Sequence, residues 1–251
     1  MARKIAIVNL KGGTGKTNVC INLSMFLTAL GKRVLLIDLS PQGDATFSLG
    51  IKPSPNSVGD VFLQKIRPQV AIKSTPYFGF DVMPSFPELK PIEENLRNVK
   101  RPELRLKKAM ENLEEDYDFI IIDTPPEFNL LTLNALNSAD ELIIPIQAEY
   151  LAMRSAEQLL KIIEKSNLKF KRISALVTMY GWRSRSSRSV AKSLRESFSG
   201  YVFNTIIPRA VSLIQAEDVK EPILKASPNS RAARAYSQLA EEVVALEKKK
   251  L

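Results

Sequence analysis

Short apolar runs rich in β-branched residues recur along the chain at residues 5–8, 34–37, 119–122, 142–146, 173–177 and 201–207. Stretches of helical periodicity separate them, at 18–30, 150–166 and 231–247. Continuous apolar strands that alternate with amphipathic helices describe a mostly parallel sheet covered on both faces. The pattern therefore predicts a doubly wound α/β fold, with residues 1–251 as a single domain. The least regular stretch, residues 50–102, carries eight prolines and predicts surface connections with short elements, among them a helix at 58–65 and a strand at 80–82. There is no internal repeat.

Composition narrows the chemistry. The chain is 45% hydrophobic and 25% charged, an ordinary globular balance that excludes disorder and low-complexity classes. It has no histidine and a single cysteine, Cys20. Disulfide frameworks, thiolate-held clusters and Ser-His or Cys-His nucleophile pairs are thereby excluded. Any reaction here must use carboxylates, lysines, backbone amides and hard cations. No apolar run reaches the roughly 20 residues of a membrane span, so a cytoplasmic protein without stable membrane insertion is expected. Lys and Arg number 36 against 27 Asp and Glu, a net charge of +9. That excess points toward a polyanionic partner.

The first strand runs into Asn9-Leu10-Lys11-Gly12-Gly13-Thr14-Gly15-Lys16-Thr17, and a helix follows. Glycines let backbone amides turn inward around phosphates, and the helix N-terminus adds partial positive charge. Lys16 is expected to reach the β- and γ-phosphates and Thr17 to ligate Mg²⁺. The strict G-x-x-x-x-G-K-[ST] pattern fails at its first position, where Leu10 stands, and a second lysine, Lys11, opens the loop. A phosphate loop needs a carboxylate from another buried strand to organise its metal. Asp123, after the run 119–122, supplies it, and Asp38, after 34–37, is a second candidate.

These residues resemble the ParA/Soj group of partition ATPases, P-loop proteins with a deviant phosphate loop. The resemblance runs through nearly the whole chain: Lys11-Gly-Gly-Thr-Gly-Lys-Thr17, Asp38-Leu-Ser-Pro-Gln-Gly-Asp-Ala-Thr46, Asp123-Thr-Pro-Pro126, Ile144-Pro-Ile-Gln-Ala-Glu-Tyr150 and Ile206-Ile-Pro-Arg209 among others. It implies the P-loop NTPase sheet with helices on both faces, ATP and Mg²⁺ as cofactors, and an ATP-dependent homodimer. It also implies a nucleotide pocket over Lys11, Gly12, Gly13, Thr14, Gly15, Lys16, Thr17 and Asn18, with Pro208 and Arg209 toward the adenine. Lys11 takes the place of the signature lysine that crosses to the partner subunit's phosphates. Met179 is expected in the core rather than on the nucleotide. Catalysis falls to Lys11, Lys16, Asp38, Ser40 and Asp123, and the metal to Thr17, Asp38 and Asp123. One departure stands out: the family's Asp-x-Asp is here Asp38-Leu39-Ser40. A serine can hydrogen-bond the attacking water but carries no charge to activate it. Slow hydrolysis is expected unless Asp44 substitutes.

The positive charge is concentrated. Residues 165–234 hold 14 basic and 4 acidic residues, a net of +10, leaving 22 against 23 elsewhere. Arg185, Arg188, Lys192 and Arg195 share a helical arc of roughly 80°, opposite Val190, Leu194 and Phe198. With Arg183, where the family has a DNA-binding arginine, they form a candidate surface for nonspecific duplex DNA, and the protein is expected on the nucleoid. A ParB-like centromere-binding protein is the implied partner. Two alternatives are a MinD-like membrane-positioning ATPase, using Tyr236, Leu239, Ala240, Val243 and Leu246 as a lipid-facing stripe, and a non-hydrolysing ATP-dependent scaffold or regulator.

Overall fold

Each apolar run of the sequence is a strand. In chain order they are β1 (Arg3–Ile7), β2 (Val34–Asp38), β3 (Lys73–Ser74), β4 (Phe80–Met83), β5 (Phe119–Asp123), β6 (Glu141–Gln147), β7 (Arg172–Tyr180) and β8 (Tyr201–Pro208). The computed structural model describes residues 1–111, 113–149 and 152–248. Helices α1 (Lys16–Ala29), α2 (Asp44–Ser48), α3 (Val58–Phe62), α4 (Pro68–Ala71), α5 (Leu89–Leu96) and α6 (Arg105–Met110) precede β5. Beyond it come α7 (Leu130–Ser138), α8 (Ala152–Lys165), α9 (Arg185–Ser197), α10 (Val211–Asp218), α11 (Ile223–Ala226) and α12 (Arg231–Lys248). Tyr150, expected in the eighth helix, lies outside the described residues.

The strands form one sheet in the order β3-β4-β2-β5-β1-β6-β7-β8. All pairs are parallel except β3 with β4. Alternate residues of β1 serve different layers: Ile5 and Ile7 belong to the apolar cluster that includes α1, α2, α10, α11 and α12, whereas Ala6 belongs to the one that includes α3 to α9. Every residue of β2, β5 and β6 is buried. That explains why these strands read as continuous apolar runs rather than as an alternation. From β1 the chain leaves to one side for β2 and later to the other for β6, so the order reverses beside β1. The crevice at the carboxyl ends of the strands opens there.

Two expectations need adjustment. The helix expected over 58–65 stops at Phe62, although the Ser57/Asp60 capping box starts it as the sequence suggests. Gln64 adopts φ 58°, and Pro68 holds Arg67 extended, so the helix cannot continue. Helix α1 begins at Lys16, two residues earlier than the periodicity indicated, because Gly15 at φ 86° turns the loop directly into the helix.

The apolar stripe of α12 is covered. Tyr236, Leu239, Ala240 and Val243 are each at most 1% exposed and join the core of α1 and the sheet. Two guanidiniums hold the end of this helix: Arg3 Nη1 donates to the Val243 carbonyl at 2.6 Å, and Arg172 Nη2 to that of Leu246 at 3.1 Å. Glu141 pairs with both arginines, at 2.6 and 3.2 Å. Among the described residues no helix is long and apolar enough to cross a membrane.

Candidate nucleotide site and basic surface

The loop between β1 and α1 is fixed from three sides. Asn9 Nδ2 donates to the Pro145 carbonyl at 2.7 Å, while its Oδ1 accepts from the Lys11 amide at 3.0 Å. Thr178 Oγ1 donates to the Thr14 carbonyl at 2.9 Å. Gln147 Nε2 donates to the Gly13 carbonyl at 2.5 Å. Gly13 at φ 68° and Gly15 at φ 86° occupy the left-handed region that L side chains avoid, and so the amides curl around one space. That space is a cavity of about 660 Å³, whose lining includes Gly12, Gly13, Thr14, Gly15, Lys16, Thr17, Asn18, Pro208 and Arg209.

Lys11 stands apart from this lining. Its Nζ donates to Gln147 Oε1 at 2.8 Å and lies 3.9 Å from Glu149. Lys16 is buried, with Nζ 3.3 Å from the Lys11 carbonyl. Burial lowers its pKa, opposed chiefly by Asp123.

Strands β2 and β5 end in register, so Asp38 and Asp123 are paired across the sheet. Both are fully buried. Asp38 is satisfied internally, accepting from the Ser40 amide at 2.9 Å and from the Thr46 amide and hydroxyl at 2.9 and 2.8 Å. Burial, then the charge of Asp123, raises its pKa to about 7. For Asp123, burial raises the pKa to about 6, opposed by the nearby Thr17 hydroxyl and Lys16 ammonium. Proximity of Thr17 is not a well-formed hydrogen bond, for neither Asp123 oxygen meets a donor in good geometry among the described residues. An orphaned, buried carboxylate beside a threonine hydroxyl suits a magnesium ion, which keeps several waters and takes only one or two protein oxygens.

Ser40 and Asp44 face the cavity from the other side. Ser40 Oγ donates to Asp44 Oδ2 at 3.1 Å and accepts from the Gln42 amide at 3.3 Å. Met179, expected in the core, instead lines the cavity, with Sδ 3.3 Å from Gln147 Nε2. Its backbone is left-handed, φ 52°, where the β7/β8 register shifts, and this takes the side chain out of the strand's alternation. Gln147 is a further site residue that sequence reasoning missed. Its one sequence signal is a polar residue closing the apolar run 142–146.

The second expected surface lies on α9. Ser184 caps the helix, its side chain accepting from the Ser187 amide. Val190, Ala191 and Leu194 are buried beneath it, and Phe198 at its end is half-buried. Arg183, Arg185, Arg188, Lys192 and Arg195 are all exposed. Lys192 pairs with Glu196 at 3.7 Å. Arg195 reaches the Asn204 carbonyl at 3.4 Å. Arg183, Arg185 and Arg188 form no ion pair among the described residues.

A glycine loop between the central strand and its helix, a buried lysine, and an acid closing the neighbouring parallel strand define a P-loop nucleotide-binding protein. Residues 2–174 match the AAA domain family. The sporulation initiation inhibitor protein Soj of Bacillus subtilis is 39% identical over 251 residues, 98% of this chain and 99% of its own length. The chromosome-partitioning ATPase Soj of Thermus thermophilus is 39% identical over 247 residues, 97% of this chain and 96% of its own. Among solved structures, cobyrinic acid a,c-diamide synthase of Mycobacterium smegmatis with bound ATP analogue and magnesium superposes with a TM-score of 0.86 at 33% identity, covering 99% of this chain and 97% of that one. The chain belongs to the ParA/Soj family of partition ATPases.

Proposed function

We propose that this protein is an ATP-switched DNA-segregation ATPase: with Mg-ATP it forms a sandwich homodimer that grips nonspecific duplex DNA, and hydrolysis releases it. One observation carries the reading: a cavity lined by the glycine loop and a row of exposed arginines without ion pairs among the described residues coexist on one small α/β body.

Loop amides of Gly12 to Thr17 receive the phosphates, and Lys16 neutralises the β- and γ-oxygens. Burial suits Lys16 to this task, because its desolvated ammonium gains most from an incoming anion. Thr17 and Asp123 hold the metal, and Asp38 adds charge behind them. Magnesium supplies charge neutralisation to the transferring phosphoryl group. Pro208 and Arg209 close on the adenine side. Lys11 leaves Gln147 and crosses to the partner's phosphates, adding a second cation where charge builds during transfer. Ser40 holds the attacking water without a charge of its own, so turnover is slow until a ParB-like centromere-binding partner accelerates it. On α9, Arg183, Arg185, Arg188, Lys192 and Arg195 contact the phosphate backbone, which places the protein on the nucleoid and makes binding salt-sensitive and indifferent to sequence.

The membrane-positioning alternative lacks its lipid-facing stripe, since the apolar residues of α12 are buried. A non-hydrolysing scaffold differs from the proposed cycle in phosphate release. The deciding experiment is a mobility shift on arbitrary duplex DNA across a salt series, with ATP, ADP and no nucleotide. Retention with ATP alone supports the switch, and nucleotide-independent retention overturns it.

A further inference from the structure

Outside α9 a second group of bases comes together in space. Lys100, Arg101, Arg105, Lys107 and Lys108 line one open cavity of about 510 Å³ on α6 and the turn before it, where Glu111 is the acid of the lining. Lys100, Arg101, Lys107 and Lys108 are exposed. None of the five forms an ion pair among the described residues. Arg105 is half-buried: its Nη2 donates to the Lys100 carbonyl at 3.4 Å, while its Nε is buried without a hydrogen-bond partner. Five cations held together repel one another, and a dry guanidinium N–H is costly. An arriving anion relieves both penalties.

We propose that this cavity and its rim form a second phosphate-contacting surface for duplex DNA. The inference rests on the DNA-binding reading above and adds a face to it. Two features favour a nucleic-acid backbone over other polyanions. Leu104 is the one apolar residue of the lining, so a protein partner finds no aromatic or aliphatic anchor to bury. No ring is present there to stack a base, which removes single strands. Backbone contact requires only the cations.

Location supports the same partner. Helices α6 and α9 belong to one layer, packed over the same core through Leu106 and Met110 on one side and Ala191 and Leu194 on the other. Helix α6 leads into β5 and α9 leads out of β7, with β1 and β6 between them. In that layer α7 and α8 stand between them, and three helix spacings of about 8–10 Å amount to roughly 24–30 Å. That is less than one helical turn of duplex, about 34 Å.

The test compares Lys100→Ala/Lys107→Ala/Lys108→Ala with Arg183→Ala/Arg188→Ala/Arg195→Ala and the unaltered chain. The measurement is affinity for arbitrary duplex DNA with ATP over a salt series, alongside Tm and nucleotide affinity. The α6 triple variant should weaken DNA binding about tenfold or more at low salt. It should also lower the slope of log affinity against log salt by about 2 to 3, since each lost phosphate contact removes about 0.9. Nucleotide affinity and Tm should not change. If the triple variant folds poorly, Lys107→Gln/Lys108→Gln should give a smaller loss in the same direction. Unchanged affinity and slope in the α6 variant, with the α9 variant defective, overturn this proposal and leave the DNA reading standing. Failure of the unaltered chain to bind duplex removes both. Loss of poly-glutamate binding with DNA affinity intact assigns the surface to an acidic protein, again overturning it.

Discussion

Ser40 hands its hydroxyl hydrogen to Asp44 across the wall of the phosphate cavity, at 3.1 Å. A hydroxyl that donates to a carboxylate becomes a better acceptor, and a water beyond it can be held and polarised through the pair. Asp44→Asn should therefore lower kcat for ATP hydrolysis by about 10²-fold, within the range for a lost proton acceptor. KM should move less than kcat, because Asp44 faces the same cavity but forms no hydrogen bond or ion pair with the phosphate loop among the described residues. Ser40→Asp should raise turnover. Equal phosphate-release rates for Ser40→Asp and the unaltered chain would remove Ser40 from the chemistry.

Gln147 links two parts of the loop, accepting from Lys11 and donating to Gly13. Gln147→Ala cuts both contacts and leaves a loop carbonyl without its donor. The bond to the Gly13 carbonyl, which remains when Lys11 crosses to a partner, is worth about 0.5–1.5 kcal/mol. Nucleotide affinity should fall by up to about tenfold, as read by displacement of a fluorescent ATP analogue. Lys11→Ala should keep nucleotide affinity within a few-fold while abolishing ATP-dependent dimers in light scattering. Dimerisation by Lys11→Ala would return Lys11 to a role within its own subunit.

Asp38 and Asp123, with pKa values raised to about 7 and about 6 from an ordinary 3.8, bind protons in the folded state that the unfolded chain has already released. Stability of the ligand-free protein should therefore fall as pH rises from about 4 to about 7. Asp123→Asn removes an unsatisfied buried charge. It should stabilise the ligand-free protein at pH 8 by about 1–3 kcal/mol and flatten the pH dependence, while the thermal shift given by Mg-ATP disappears. A lower Tm at pH 8 would show that the carboxylate is satisfied in solution.

The buried stripe of α12 makes a different kind of prediction. Leu239 is 0% exposed. Leu239→Ala should cost about 2–5 kcal/mol of stability, the usual range for a buried leucine. Vesicle flotation should be equally absent before and after the change, and lipid binding lost on substitution would restore the membrane reading.

Most of the fold is legible in the sequence because buried parallel strands leave continuous β-branched runs, and because glycine, lysine and threonine must follow one of them in fixed order. Asp38 and Asp123 are legible for the same reason, as acids at strand ends. Other features depend on tertiary geometry that no local pattern encodes. Met179 reads as core because Val177, Thr178 and Tyr180 around it are buried, yet a left-handed φ turns it to the cavity. The basic cluster of α6 vanishes in a count along the chain, since Glu111, Glu114, Glu115, Asp116 and Asp118 follow directly and cancel it. In space one of those acids, Glu114, is drawn away to Lys4, at 2.7 Å. The Ser40–Asp44 bond is not legible in the sequence, because a four-residue separation outside a regular helix predicts no contact.

Because β2 and β5 pair Asp38 with Asp123 residue for residue, the two buried acids of the site exist as neighbours only when those two strands have aligned correctly. A slip of one position would send one carboxylate into the opposite helix layer and bring an isoleucine in its place. Nucleotide affinity is thus a measure of sheet alignment as well as of the site itself. In refolding or on the ribosome, the first appearance of ATP binding marks the moment when strands some eighty residues apart in sequence have found each other in register.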